Sequence, residues 1–237
     1  MALKRSEMDA QILLNLGNRS NITLANRTVW LNWALTDVAS LRDWRAMKKT
    51  DTDSMRTRAG GVEYEMPPNL KNIFDVSYQN GVQSRPLQYK PPYIFRKQIP
   101  KPEEYGSGYP IVYTWEGTIM RLYPPPDTNG LPLHIYGSYW PDEFLVASDE
   151  ECPLPRLEHA IISLATSYGF EAIRDFRAAR QWYQEGLKRM QRQARLDGDP
   201  EDWTPRWASE RLRTRVGDDV FVVELLAAGE RLNDPNA

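Results

Sequence analysis

Residues 118–141 read TIMRLYPPPDTNGLPLHIYGSYWP. Two runs, TIMRLY (118–123) and LPLHIYGSY (131–139), alternate apolar and polar side chains on either side of PPPDTNG (124–130). A period of two puts every second side chain on one face, the pattern of a half-buried strand. Proline, aspartate, asparagine and glycine between the runs favour a turn. The stretch is therefore expected to form a β-hairpin. It carries no obvious catalytic group, so what it specifies is a shape.

The same short alternation extends outward from about 58 to 141. GGVEYEMPP puts Val62, Tyr64 and Met66 on one face, and NIFDVSYQNG ends in Asn80-Gly81, a strong hairpin signal. RPLQYKPP reads as a short edge strand, because prolines cannot donate to a ladder. Residues 96–110 read as an exposed loop, and IVYTWEG joins TIMRLY at Glu116-Gly117. Short antiparallel strands at this spacing predict a small barrel or sandwich.

On both sides the period becomes helical. Residues 6–17 predict a short helix with Ser6 and Asp9 as a capping box and Gly17 as its stop. Residues 23–47 predict a longer one with Trp30, Ala34, Val38 and Leu41 in a stripe. From 153 a third helix begins with prolines in its opening turn, its stripe being Leu154, Leu157, Ile161, Leu164 and Tyr168. A fourth, about 174–196, repeats Phe176, Ala179, Tyr183, Leu187, Met190 and Ala194. No amphipathic helix can bury its stripe alone. The expected fold is thus α+β: a four-helix bundle from N- and C-terminal helix pairs, with an inserted small antiparallel β-barrel or sandwich and an extended C-terminal arm. The expected parts are 1–55 and 146–199 (bundle), 56–145 (β module) and 200–237 (arm).

Composition narrows the function classes. At 237 residues the chain can bury a substantial core, and 41% apolar and 26% charged residues are ordinary for a globular protein. A net charge of −2 argues against a molecule that grips nucleic acid with its whole surface. The single cysteine and two histidines exclude an internal disulfide and a usual zinc site. The amphipathic start and the lack of a long apolar run predict a protein of cytosolic origin, with no membrane partner. The sequons at Asn18, Asn21 and Asn26 are then chance matches.

Catalytic patterns are missing from the sequence. It holds no phosphate-binding P-loop, no G-x-S-x-G elbow and no H-E-x-x-H, and Gly106-Ser107-Gly108 precedes no predicted helix. His134 and His159 read as structural, and Cys152 has no evident catalytic partner. Asp149-Glu150-Glu151 reads as favourable charge before the third helix, not as a metal site, and Asp51 and Asp53 as a polar loop. No cofactor is expected. The last helix is rich in arginine, which reads either as a solvated face or as a surface for acidic partners or passing DNA, with Arg189, Arg192 and Arg195 as the candidates for a DNA-facing or inter-subunit role. In the arm, Trp203, Trp207 and Phe221, with Arg206, Arg211, Arg213 and Arg215, need something to pack on, and another subunit is the expected answer.

Several pieces in order resemble the head-to-tail connector (portal adaptor) proteins of tailed bacteriophages. They are WLNWA (30–34), YEMPPN (64–69), NIFDV (72–76), YPIVY (109–113), TIMRLYPPPD (118–127), LPLHIYGSYWP (131–141) and CPLPRLEHAIISLA (152–165). The resemblance covers about 6–196, and GSGYP departs slightly from the family's Gly-x-Pro. It implies a structural part at the virion's head–tail interface. Such proteins form rings, typically of twelve copies, beneath the portal protein, and double-stranded DNA passes through without sequence-specific contacts. Their C-terminal segments reach the portal, here Trp203, Trp207, Phe221 and the four arm arginines. Their β module docks tail or nozzle proteins, here by Tyr123, Pro125, Asp127 and Trp140. Three other readings remain: a different tail or head-completion protein, a DNA-binding module using the arginine-rich helix, and an enzyme with Asp142, Glu143, Asp149 and Glu150 as its acids.

Overall fold

A computed structural model describes residues 2–80, 83–147 and 149–197. Helices α1 (Arg5–Asn15) and α2 (Leu24–Leu41) lead into strands β1 (Lys48–Asp51), β2 (Glu63–Glu65), β3 (Leu70–Asn80), β4 (Gln83–Pro86) and β5 (Gln88–Tyr89). A short helix, α3 (Pro92–Gln98), precedes β6 (Val112–Glu116), β7 (Ile119–Tyr123) and β8 (Leu133–Tyr139). Helices α4 (Glu158–Ala172) and α5 (Phe176–Asp197) follow. The class is α+β, as the periodicities predict. The chain divides into two units, one that ends at residue 193 and one that begins at 194 within the last turn of α5.

The two runs of 118–141 do not form the expected hairpin. β7 pairs with β6 and β2, whereas β8 pairs with β1 and β3, in a different sheet. Residues 124–132 are therefore a crossover between sheets. Three consecutive prolines explain why pairing stops after Tyr123, since none can donate to a ladder. The crossover is held instead by Thr57, which is buried. The Thr57 hydroxyl donates to the Thr128 carbonyl at 2.7 Å and accepts from Leu131 N at 3.0 Å. Its backbone exchanges hydrogen bonds with Leu131 O (2.9 Å) and Gly130 N (2.8 Å).

Neither sheet closes into a barrel. Their orders are β1-β8-β3-β4 and β2-β7-β6-β5. β4 and β5 are almost continuous in sequence, yet each edges a different sheet, with buried Leu87 between them. The chain thus changes sheets four times, from β1 to β2, β2 to β3, β4 to β5 and β7 to β8, and among the described residues no ladder joins the two. They share one core instead, with Tyr64, Met120 and Leu122 from one and Val76, Tyr78 and Ile135 from the other. Asn80 lies opposite Gln83, so the Asn80-Gly81 signal falls at a real β3–β4 hairpin whose turn lies outside the described residues. The β6–β7 hairpin turns at Gly117, whose φ of 61° needs glycine.

Two expectations on either side of the sheets need correction. The helix predicted over 23–47 ends at Leu41. Trp44 folds back, donating from Nε1 to the Val38 carbonyl at 2.7 Å, and the Lys71 ammonium occupies the carbonyls of Ala39 (2.6 Å) and Arg42 (3.1 Å). β1 follows on a sheet edge, just past the predicted helix and inside the 1–55 part expected to belong to the bundle; KKTD has no apolar alternation to betray it. The loop expected over 96–110 begins inside α3, which buries Phe95.

In the helical part α4 is central. It packs on α1 and α2, and its residues 161–167 are all buried. A helix apolar on all sides belongs inside. Its buried hydroxyls are satisfied: Ser163 donates to His159 O, Thr166 to Ile162 O and Ser167 to Ala179 O. Pro153 and Pro155 precede α4 instead of opening it, because Arg156 takes a φ of 72°, which no α-helix accommodates. α5 approaches α4 at Gly186, where an added Cβ would lie 2.9 Å from Leu164. α1 ends in a Schellman motif at Gly17, with Gly17 N bonded to Leu14 O and Asn18 N to Leu13 O.

Candidate interface surfaces

Side chains that could carry chemistry turn out to hold the fold. Cys152 is buried, its thiol donates to the Leu154 carbonyl, and burial pushes its pKa up to about 12. A thiol this reluctant to ionise is a poor nucleophile. The acidic cluster does neutralise a helix N-terminus, but that of α1 and not α4. Ser6 N donates to Asp149 Oδ1 at 2.9 Å and Arg5 N to the Glu150 carbonyl at 2.8 Å. The Ser6 hydrogen bonds hold the Asp149 carboxyl below its ordinary pKa. The α1 cap also differs from expectation: Glu7 accepts from Lys4 N at 2.9 Å, while Asp9 pairs with Arg27. Burial raises Asp51, but hydrogen bonds from Ser54 and Asp53 outweigh it and leave a lowered pKa. Asp142 and Glu143 are exposed. Among the described residues no group of three His, Cys, Asp or Glu could hold a metal, and no helix is long and apolar enough to cross a membrane.

What remains is surface. α5 is a 22-residue helix with only Ala179, Gly186 and Met190 buried. Phe176 is 67% exposed and Tyr183 41%, so the predicted stripe is only half covered. Beside Tyr183 lies an aromatic cluster: Trp33, 55% exposed, meets Tyr168 edge-on at 5.8 Å. The Tyr168 hydroxyl donates to the Asp37 carboxylate; burial first, and then this carboxylate, push the Tyr168 pKa up. Burial and the same carboxylate also raise Tyr183.

Around the other flank of α5 runs a groove of about 550 Å³, bounded by α1 and the start of α4. Arg156, Lys188, Arg189 and Arg192 line it. Arg189 is not a free cation. Its Nε donates to Glu185 at 2.9 Å and its Nη1 to the His159 carbonyl at 3.1 Å, which staples α5 to α4. Arg192 is exposed on the groove, and Arg195 is exposed on the last turn of α5.

The four residues expected to dock the β module are not one patch. Tyr123 and Asp127 adjoin the crossover; Tyr123 stacks edge-on with Tyr105 at 5.5 Å, and Asp127 is exposed. Pro125 is buried, its carbonyl accepting from Gly108 N at 2.8 Å. Trp140 lies beyond the opposite end of β8, beneath the Lys71 ammonium at 5.3 Å. Sequence reasoning missed a denser apolar surface around β5 and α3, where Tyr89, Tyr93 (76% exposed), Ile94 and Ile111 face solvent. The signal was PPYIF, a Pro-initiated turn of helix whose YIF fell between a segment read as an edge strand and one read as a loop. Arm residues Trp203, Arg206, Trp207, Arg211, Arg213, Arg215 and Phe221 lie outside the described residues.

Comparison with known proteins fits a surface built for assembly. No curated protein matches the chain. The model of the SU10 adaptor protein family matches residues 5–215, through the helices and both sheets and into the arm. The motif residues of the resemblance now have physical roles. Asn32 of WLNWA clamps the backbone of Phe144 from both sides, at 3.1 and 2.9 Å, and so ties α2 to the exit from the sheets. In YEMPPN, the backbone carbonyl of Asn69 accepts from Trp140 N at 2.7 Å, and the buried Tyr64 hydroxyl donates to the Gly61 carbonyl at 3.1 Å. The match spans nearly the whole described chain, and the protein belongs to the SU10 adaptor family, a family of phage head-to-tail adaptors.

Proposed function

We propose that this chain is a structural component of the virion, not a catalyst, and assembles as a closed ring, of twelve copies by family resemblance, between the portal and the tail. In this reading α1, α2, α4 and α5 act together as a bundle (1–55 and 146–199) that packs side by side around the ring. The β module (56–145) meets tail or nozzle proteins, and the arm (200–237) docks on the portal. Double-stranded DNA passes through the ring, and a net charge of −2 suits a channel that guides without gripping.

The observation that carries the reading is the half-covered stripe of α5. A helix with Phe176 and Tyr183 in solvent, beside an exposed Trp33, has apolar surface that a lateral neighbour would bury. Heterologous contacts that close generate a ring when each copy buries such a surface against a different face of its neighbour. The β5–α3 surface, with Tyr93 and Ile111, is the better candidate for tail docking than the crossover, because Pro125 is buried.

Cryo-electron microscopy of the purified particle tests this. The expected result is a ring of this chain between portal and tail, with 200–237 against portal subunits. The chain elsewhere in the tail would assign it a different tail role. Its absence from the particle would overturn the structural reading and return attention to Asp142, Glu143, Asp149 and Glu150.

A further inference from the structure

α5 presents two unlike flanks. Ala179, Gly186 and Met190 mark its buried line. At 3.6 residues per turn, Tyr183 lies about 40° to one side of that line, and Arg189 and Arg192 lie about 80° and about 140° to the other. The Tyr183 flank joins Trp33 and Tyr168 and carries the carboxylate of Asp37, with Glu171 close by. Asp37 and Glu171 are exposed and have no ion-pair partner among the described residues. The Arg192 flank is the 550 Å³ groove. Its Arg156, Lys188 and Arg192 are likewise exposed and without an ion-pair partner among the described residues, since Glu185 is taken by Arg189.

We propose that the aromatic, acidic patch of Trp33, Asp37, Tyr168, Glu171 and Tyr183 on one copy seats against the basic groove of Arg156, Lys188 and Arg192 on a second copy. The inference rests on the ring reading above and names its subunit interface. Three observations select a second copy as the occupant. The two surfaces are complementary in charge, each holding ions that its own copy leaves unpaired. They occupy opposite flanks of one helix, so a copy that uses one keeps the other for the next neighbour. That is the requirement of a head-to-tail contact, in which each copy offers two different surfaces. The aromatic rings also suit the groove, because a guanidinium favours the face of tryptophan or tyrosine. Arg189 does not take part as a free charge; it positions α5 on α4 and so shapes the groove.

A charge exchange tests the contact. Glu171→Arg and Arg192→Glu each place like charges face to face across the contact, and each is expected to lower incorporation into particles at least about tenfold. Circular dichroism and Tm of the purified variants should match wild type, because both side chains are exposed. The double variant Glu171→Arg/Arg192→Glu restores opposite charges and is expected to recover most of the loss. Should Arg192→Glu disturb folding, Lys188→Glu replaces it in the same scheme. Wild-type incorporation of the single variants overturns the proposal while the ring reading stands. Loss in the single variants without recovery in the double overturns self-pairing and assigns these faces to portal or tail proteins. If wild-type particles show no ring of this chain, the ring reading itself fails and the proposal falls with it.

Discussion

At the residue scale, one ion pair joins the two N-terminal helices. Arg27 donates to both Asp9 oxygens, at 2.6 and 3.0 Å, and a third hydrogen bond reaches the Ile22 carbonyl at 2.7 Å. Both residues are buried. Such a pair adds little over an apolar substitute, but removing one partner strands a buried charge. Arg27→Met is therefore expected to cost about 3–5 kcal/mol. Asp9→Leu/Arg27→Met should recover a large part of that, as read by urea unfolding of each variant. Equal losses in the single and double variants would show that Asp9 is not stranded by the single change. The pairing was hidden in the sequence because Asp9 sits three residues after Ser6, where it reads as part of a capping box.

At the element scale, β3 and β8 form the seam between helices and sheets. Their ladder shifts register twice, between Leu70 and Asn72 and between Ile73 and Asp75, facing Gly137. A Cβ at Gly137 would lie 2.4 Å from the Asn72 carbonyl oxygen, which is backbone and cannot swing away. Gly137→Ala is expected to cost at least about 1–3 kcal/mol, as for overpacked cores, and to lower Tm. An unchanged Tm would show that the ladder yields at its bulges. The same seam holds Asp43, which accepts from Ser138 Oγ and Asn72 Nδ2, each at 2.8 Å, and pairs with Lys71 at 3.1 Å. Burial works against its ionisation, but these hydrogen bonds and the Lys71 charge prevail, and its pKa lies below 3.8. A depressed carboxylate contributes stability that is full above its unfolded pKa and is lost as pH falls through the folded one. Wild type should thus lose stability below about pH 3.8 more steeply than Asp43→Asn, compared by chemical unfolding across pH 2–6. Parallel curves would remove Asp43 as a source of acid lability.

At the scale of the whole molecule, the helices hold both ends of the sheet region. Asn32 clamps Phe144, and the chain before α1 pairs with the chain before α4, Lys4 opposite Glu151 and Cys152 N donating to the Leu3 carbonyl at 2.9 Å. These contacts all lie before residue 194, so the unit is expected to fold without the arm. Deleting 200–237 should leave the Tm within about 3 °C of wild type, the shift expected from under 1 kcal/mol. On the proposed reading the same deletion abolishes attachment to the portal, measured by incorporation into particles. A truncated chain that still incorporates would free the arm of that role.

The sequence by itself determined the class and most of the elements. Period-two and helical runs reflect which side of a local segment meets water, and that is written in neighbouring residues. Val62, Tyr64 and the Leu157–Ile161–Leu164 stripe could be read directly and are buried. The family, too, was legible, because its motif pieces, from WLNWA to CPLPRLEHAIISLA, stand in order along the chain. Only the tertiary structure decided pairing. A run such as TIMRLY has the same alternation whether its neighbour is β6 or β8, and a loop with turn chemistry can reverse a strand or carry it to another sheet. The β1 edge, the Asp9–Arg27 pair and the engagement of Arg189 by Glu185 depend on groups that meet in space through the rest of the chain, and no local pattern encodes such a meeting.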